Sequence, residues 1–236
     1  MNILNYEAQK VENLEEIIEK QKEIMFAFEP NLKKRTEEFD IDIYEDQMLL
    51  KEFLLERTVE EITEAGIALR NHHIEHYKEE MIDVFNFLLE TKIILGDKYS
   101  LFPENINDSN MSDYPEEITC WSWSQRYFYS GEEFFGDAEL LNYKHSDETI
   151  ANLYNSIKTD LYELIESIGE LTNLLKQRPW RESQYPVDLL TFKQRWKTII
   201  SNFWLLQREY GFNWGEFKDI WSKKYQVNKF RIESNY

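Results

Sequence analysis

An all-α fold, a bundle of antiparallel helices, is what this chain predicts. Breakers are scarce, with 7 Gly and 5 Pro in 236 residues. Long stretches rich in Leu, Ile, Glu and Lys carry apolar residues every three to four positions, the period of a helix with one buried face. Neither an alternating strand pattern nor a glycine-rich phosphate loop interrupts them. The length suffices for a sizeable core, and the chain reads as one domain over residues 1–236.

The first helix is expected over about Glu12–Ala27, with Leu14, Ile17, Ile18, Ile24 and Met25 as its apolar positions, and Pro30 ends it or lies just past its end. The charged stretch Asn31–Asp42 reads as a connector. A long helix follows over about Tyr44–Leu69, then a turn at Arg70–His73. A third helix covers about Glu75–Leu95, closed by Gly96 in a C-cap role. These elements make a first helical half at 10–96.

The character changes over 97–150. Pro103, Asn105, Asn107, Asp108, Ser109, Asn110, Pro115 and Gly131 mark loops around an aromatic-dense run, CWSWSQRYFYSGEEFF. This is read as an insert whose Trp121 and Trp123 anchor a long loop on the bundle, with a base-stacking lid or a dimer contact as the alternative. The second helical half, 151–236, belongs to a helix expected over about Asp147–Gln177, a Pro179/Pro186 connector, a helix over about Val187–Tyr210, and a last one over about Trp214–Phe230 capped by Asn213. ELIESIGELTNLL is patterned like VEEITEAGIAL, and KTIISNFWLLQREYG like EEMIDVFNFLLETKIILG. Thr198, Ser201 and Asn202 stand where the first half is acidic, so the pattern is that of a tandem repeat with one decayed site.

Charge and cysteine content narrow the function classes. A formal net charge of −18 repels nucleic acid. Cys120 is the only cysteine, so no intrachain disulfide is expected, which suits a reducing, cytoplasmic setting. The N-terminus has no basic segment followed by an apolar one, and no run of about 18 apolar residues predicts a membrane span.

Four carboxylates carry the chemistry. Glu61 and Glu64 lie in TVEEITEAGIAL, Glu80 and Asp83 in YKEEMIDVFNFLLE. Each pair has the i, i+3 spacing that puts both members on one helix face. In a chain with 45 acidic residues one such pair is an ordinary solvated face. Here two pairs sit on consecutive helices joined by a short turn, and both continue buried-looking stripes: Leu50, Leu54, Arg57 and Ala68 for the first, Tyr77 and Phe87 for the second. Ionised carboxylates on a core-facing stripe are costly unless a cation pairs with them, and a hard divalent metal is the natural one. His72, His73 and His76 are read as exposed residues of a helix boundary rather than a transition-metal site, since no cysteine accompanies them. No motif supports a serine or cysteine nucleophile.

Glu61-x-x-Glu64 followed by Glu80-x-x-Asp83 resembles the ExxE…ExxD signature of the all-α nucleoside triphosphate pyrophosphatases, which include MazG-like enzymes, dimeric dUTPases and phage dCTP/dUTP diphosphatases. The C-terminal run from Lys224 through Asn228, Phe230 and Arg231 to Asn235-Tyr236 is similar to the tail of the dUTPase/dCTPase branch. Gln21 matches an early glutamine that contacts the base in dimeric dUTPases. The resemblance covers roughly 10–96 and 155–236. The chain departs from the pattern at Ile232 and Asn235, in the short link between the acidic pairs, and at Asn86, where many relatives carry His. These departures bear on the base rather than on the phosphate chemistry.

The resemblance implies Mg²⁺-dependent hydrolysis of a deoxynucleoside triphosphate, dUTP and/or dCTP, to the monophosphate and pyrophosphate. Glu61, Glu64, Glu80 and Asp83 would hold two or more Mg²⁺ ions, with Mn²⁺ as a substitute. Glu64 would take the proton of the attacking water. Lys224, Arg231 and Asn228 would bind phosphate, and Gln21 and Asn86 the base or sugar. A homodimer and a phage-encoded enzyme acting in host cytoplasm are further implications. The competing expectations are a MazG-like house-cleaning pyrophosphatase of other base specificity and a non-catalytic helical protein that binds nucleotide or a partner.

Overall fold

The computed structural model describes residues 11–100, 147–176, 180, 185–210 and 214–234. Every regular element among them is helical, as expected, with no strand. In chain order these are α1 (Leu14–Phe28), α2 (Pro30–Glu37), α3 (Tyr44–Lys51), a π-helical stretch (Glu52–Thr58), α4 (Val59–Arg70), α5 (Ile74–Ser100), α6 (Asp147–Thr172), α7 (Leu189–Tyr210) and α8 (Trp214–Glu233). Cys120, Trp121, Trp123 and the cap residue Asn213 lie outside the described residues. No described helix is long and apolar enough to cross a membrane.

Two helical hairpins form the centre. α4 packs on α5, α6 on α7, and the pairs meet through α4 against α6 and α5 against α7. The aromatic heart of the core lies between α5, α7 and α8. Phe85 stacks on Phe203 with centroids 5.9 Å apart and meets Phe217 edge-on at 5.1 Å. Fully burying one such ring contributes about 1.5–3 kcal/mol, and each ring pair about 0.5–1.5 kcal/mol more. Phe85 and Phe203 occupy corresponding positions of the two similar segments noted in the sequence, so the halves also meet through equivalent residues.

Local chemistry sets the ends. Asn13 caps α1 by accepting a hydrogen bond from the Glu16 N–H at 2.9 Å. α2 corrects the expectation of a mere connector: Pro30, just past the end of α1 as expected, is also the first-turn residue of a new helix. The α4–α5 turn closes with the His73 N–H on the Ala68 carbonyl and the His72 N–H on the Leu69 carbonyl, a Schellman arrangement with His72 at φ 59°. α5 is broken at Gly96, where φ is 58°, and resumes to Ser100. The C-cap role expected for Gly96 thus appears as a left-handed break within the element.

α8 is fastened across the molecule. It packs on α1 and α5. Lys78 on α5 is 2% exposed and its Nζ lies 2.6 Å from Glu216 Oε1. Trp221 stacks on Tyr225, and Lys20 of α1 covers the Tyr225 ring at 5.2 Å. Lys78→Met keeps the buried volume and removes this ion pair with the partly exposed Glu216. It should cost about 1 kcal/mol, less than for a fully buried pair, and lower the melting temperature by about 2–4 °C in a circular-dichroism melt.

Candidate metal and nucleotide site

The hairpin of α4 and α5 brings the acidic pairs together. Carboxylate oxygens of Glu61, Glu64 and Glu80, one from each, all lie within 4.8 Å of one another. Glu80 is buried, Glu61 half-buried and Glu64 exposed, so the group opens outward from the helix interface. Burial, a hydrogen bond to Glu80 and the charges of Asp83, Glu80 and Glu64 push the Glu61 carboxyl up to about 8. Three carboxylates in this space cannot all be ionised cheaply without a counter-charge.

Asp83 stands beside this triad and is already partnered. Lys224 Nζ of α8 forms an ion pair with Asp83 Oδ2, joining residues 141 positions apart. The Lys78–Glu216 and Trp221–Tyr225 contacts hold α8 in the register that makes this possible. Asn228 and Arg231 lie four and seven residues beyond Lys224, about one and two turns further along the same face. Arg231 Nη1 donates to Asn228 Oδ1 at 3.4 Å, and the Arg231 side chain is exposed. The structure thus places Lys224 at the carboxylates and Asn228 and Arg231 outward along α8.

Gln21 and Asn86 both lie in the interior beyond the triad. Asn86, one turn after Asp83, accepts a hydrogen bond from Trp221 Nε1 at 2.8 Å, and its Nδ2 lies 3.5 Å from Asp83 Oδ1. Gln21 Nε2 donates to Glu90 Oε1 at 2.8 Å, with both side chains buried. Burial pushes the Glu90 carboxyl up to about 7; Gln21 and the Arg57 charge oppose that shift, and Glu29 and Asp83 reinforce it. Glu90 was not singled out by the sequence reading. Its signal was a lone carboxylate in the apolar run Leu88-Leu89-Glu90-Thr91, seven residues after Asp83 and so on the same face.

The π-helical stretch supplies a cation, Arg57, whose charge acts on Glu90. Widened winding sets residue i+5 over residue i: the Thr58 hydroxyl donates to the Phe53 carbonyl at 2.7 Å, and Arg57 Nη2 meets Glu52 Oε1 at 2.5 Å. Arg57 also reaches Glu29 Oε1 at 2.6 Å and lies 4.1 Å above the Phe53 ring. Burial works against its charge, but the hydrogen bonds and charges of Glu29 and Glu52 outweigh that and hold its pKa above the usual value.

His72, His73 and His76 are exposed, as expected of a helix boundary. His76 nonetheless engages the site's edge, with Nδ1 2.9 Å from Glu80 Oε1. Among the described residues the second hairpin carries no such acidic group at the corresponding place: there Asn202 Nδ2 of α7 donates to Ser167 Oγ of α6 at 3.1 Å. No family model, curated protein or solved structure matches the chain.

Proposed function

We propose that this chain is a divalent-cation-dependent hydrolase of deoxynucleoside triphosphates, dUTP and/or dCTP, releasing the monophosphate and pyrophosphate. The observation that carries the reading is the convergence of Glu61, Glu64 and Glu80 within 4.8 Å, beside an Asp83 paired with Lys224 from the far end of the chain. The donor set is carboxylate oxygen alone, which fits Mg²⁺, with Mn²⁺ as a substitute. Burial first, and then the neighbouring carboxylates, raise the Glu61 pKa, a cost to its charged form that a bound cation would relieve.

Glu61, Glu64, Glu80 and Asp83 would hold the cations. When bound, these neutralise the triphosphate and acidify a water for attack at the α-phosphorus. Glu64, the exposed member of its pair, takes the water's proton. Lys224 exchanges Asp83 for a phosphate oxygen, and Arg231 and Asn228 bind oxygens further out along α8. Gln21 and Asn86 meet the base and sugar, and Trp221 holds Asn86 in place. By the same resemblance the working unit is a homodimer.

Cation binding has a thermal signature. At about tenfold excess over its dissociation constant, Mg²⁺ should stabilise the fold by about 1.4 kcal/mol, a rise in melting temperature of about 3–6 °C that chelation reverses. Scanning calorimetry with and without Mg²⁺ checks this. The activity is tested with dUTP and the four common deoxynucleoside triphosphates, with and without Mg²⁺, following pyrophosphate. Mg²⁺-dependent pyrophosphate from dUTP or dCTP supports the reading. Turnover confined to purine nucleotides replaces the pyrimidine assignment with a house-cleaning one, and no turnover of any nucleotide removes the enzymatic reading.

A further inference from the structure

Within the acidic group, Asp83 is the carboxylate that the far end of the chain engages. Its Oδ2 pairs with Lys224 Nζ of α8. Its Oδ1 faces Asn86 Nδ2 at 3.5 Å, and Asn86 is turned that way because its own oxygen accepts from Trp221 Nε1 at 2.8 Å. Trp221 and Lys224 are three residues apart, so one face of α8 supplies both contacts. Glu61, Glu64 and Glu80 have no lysine or arginine partner among the described residues. Their oxygens converge on one another within 4.8 Å, and His76 meets Glu80 at the edge. The one fixed ammonium of the group therefore sits on Asp83.

α8 combines a fixed backbone with a movable side chain at this point. Trp221 and Tyr225 are buried and stacked 5.3 Å apart, and the Lys78–Glu216 pair holds the first turn of the helix. Lys224 lies between those two rings in sequence, yet its side chain is 23% exposed and that of Asp83 26%. A partly exposed pair of this kind contributes little to stability. The long flexible lysine stem lets the ammonium swing from Asp83 to water while the α8 backbone stays in place. A divalent cation drawn to the same carboxylates meets both the charge of Lys224 and an Asp83 oxygen already in use.

We propose that Lys224 is a built-in competitor of the divalent cation: its ammonium occupies Asp83 in the resting protein, and cation affinity stays low until Lys224 leaves. The inference rests on the proposed function and names how its site is regulated. Whatever draws Lys224 off Asp83 raises cation affinity, and by linkage a bound cation frees Lys224 to the same degree. The ammonium also serves the resting fold, because it offsets part of the repulsion within the acidic group.

The test titrates Mg²⁺ alone by isothermal titration calorimetry into wild type, Lys224→Met, Lys224→Gln and Lys224→Arg, with thermal melts of each protein with and without Mg²⁺. Loss of the charge in Lys224→Met and Lys224→Gln is expected to tighten Mg²⁺ binding about tenfold. Lys224→Arg keeps the charge and is expected to bind no more tightly than wild type. Without Mg²⁺ the two uncharged variants should melt below wild type, and saturating Mg²⁺ should close that gap. A purely structural role for Lys224 would lower the melting temperature equally with and without Mg²⁺ and leave the affinity unchanged. Unchanged or weaker binding in either uncharged variant, or equal tightening in Lys224→Arg, overturns the inference alone, since Mg²⁺ binding by wild type still supports the cation site. No Mg²⁺ binding by any of the four proteins overturns the proposed function as well.

Discussion

The Asp83→Asn variant is expected to release pyrophosphate about 10³-fold more slowly than wild type at saturating Mg²⁺, while melting at the same temperature or slightly higher. The two halves of that expectation have different origins. Asp83 belongs to a group of four carboxylates whose charge would hold the cations, and the amide keeps the shape of the side chain but not its charge. A 10³-fold loss corresponds to about 4 kcal/mol of transition-state stabilisation. The fold loses little, because Lys224 keeps an oxygen acceptor at position 83 and the part of the Glu61 shift that comes from the Asp83 charge, smaller than the part from burial, is relieved. Steady-state kinetics and a melt on the same preparation separate the two. Near wild-type turnover would remove Asp83 from the cation site, and a matching loss of stability would make it a structural residue.

The second large effect is on stability as a function of pH. The folded-state pKa of Glu90, about 7, lies above the ordinary value of 4.5, so the folded chain binds this proton more tightly than the unfolded one. The contribution of Glu90 is therefore fully present below about pH 4.5 and is lost as pH rises through about 7. Its size is about 3 kcal/mol. Glu61 adds to the fall in the same direction, since its own value is raised. In Glu90→Gln the Glu90 share of the slope disappears, so the variant should be the more stable of the two at pH 8 and nearly equal to wild type at pH 5. Urea unfolding at half-unit steps of pH measures this. A profile for Glu90→Gln parallel to wild type would mean that Glu90 titrates normally in the fold.

The helices were legible because their signal is local. Three-to-four-residue periodicity places Leu14, Ile17 and Ile24 on one face of α1 whatever the rest of the chain does, and all three are buried. The carboxylate group was legible for the same reason, since i, i+3 spacing fixes a face and a three-residue turn fixes which faces meet. What stayed hidden depends on packing or on distant residues. The π-helical stretch has no sequence signature, because Arg57 and Thr58 find their partners only once the widened turn exists. Pro30 carried two meanings, a stop and a helix start, and nothing local shows that both apply. The Gln21–Glu90 pair joins positions 69 apart, so no local spacing shows that the two residues meet. The Lys78–Glu216 clasp, spanning 138 positions, likewise exists only in the folded chain.

The site of water attack tests the central claim most directly: that Glu61, Glu64, Glu80 and Asp83 direct hydrolysis at the α-phosphorus. The reaction is run to a single turnover in ¹⁸O-labelled water with Mg²⁺ and the preferred pyrimidine triphosphate, and both products are weighed by mass spectrometry. The label is expected in the nucleoside monophosphate, with unlabelled pyrophosphate, and label incorporation should vanish in Glu61→Gln. Label in pyrophosphate, release of orthophosphate with a nucleoside diphosphate, or undiminished labelling in Glu61→Gln would contradict the account.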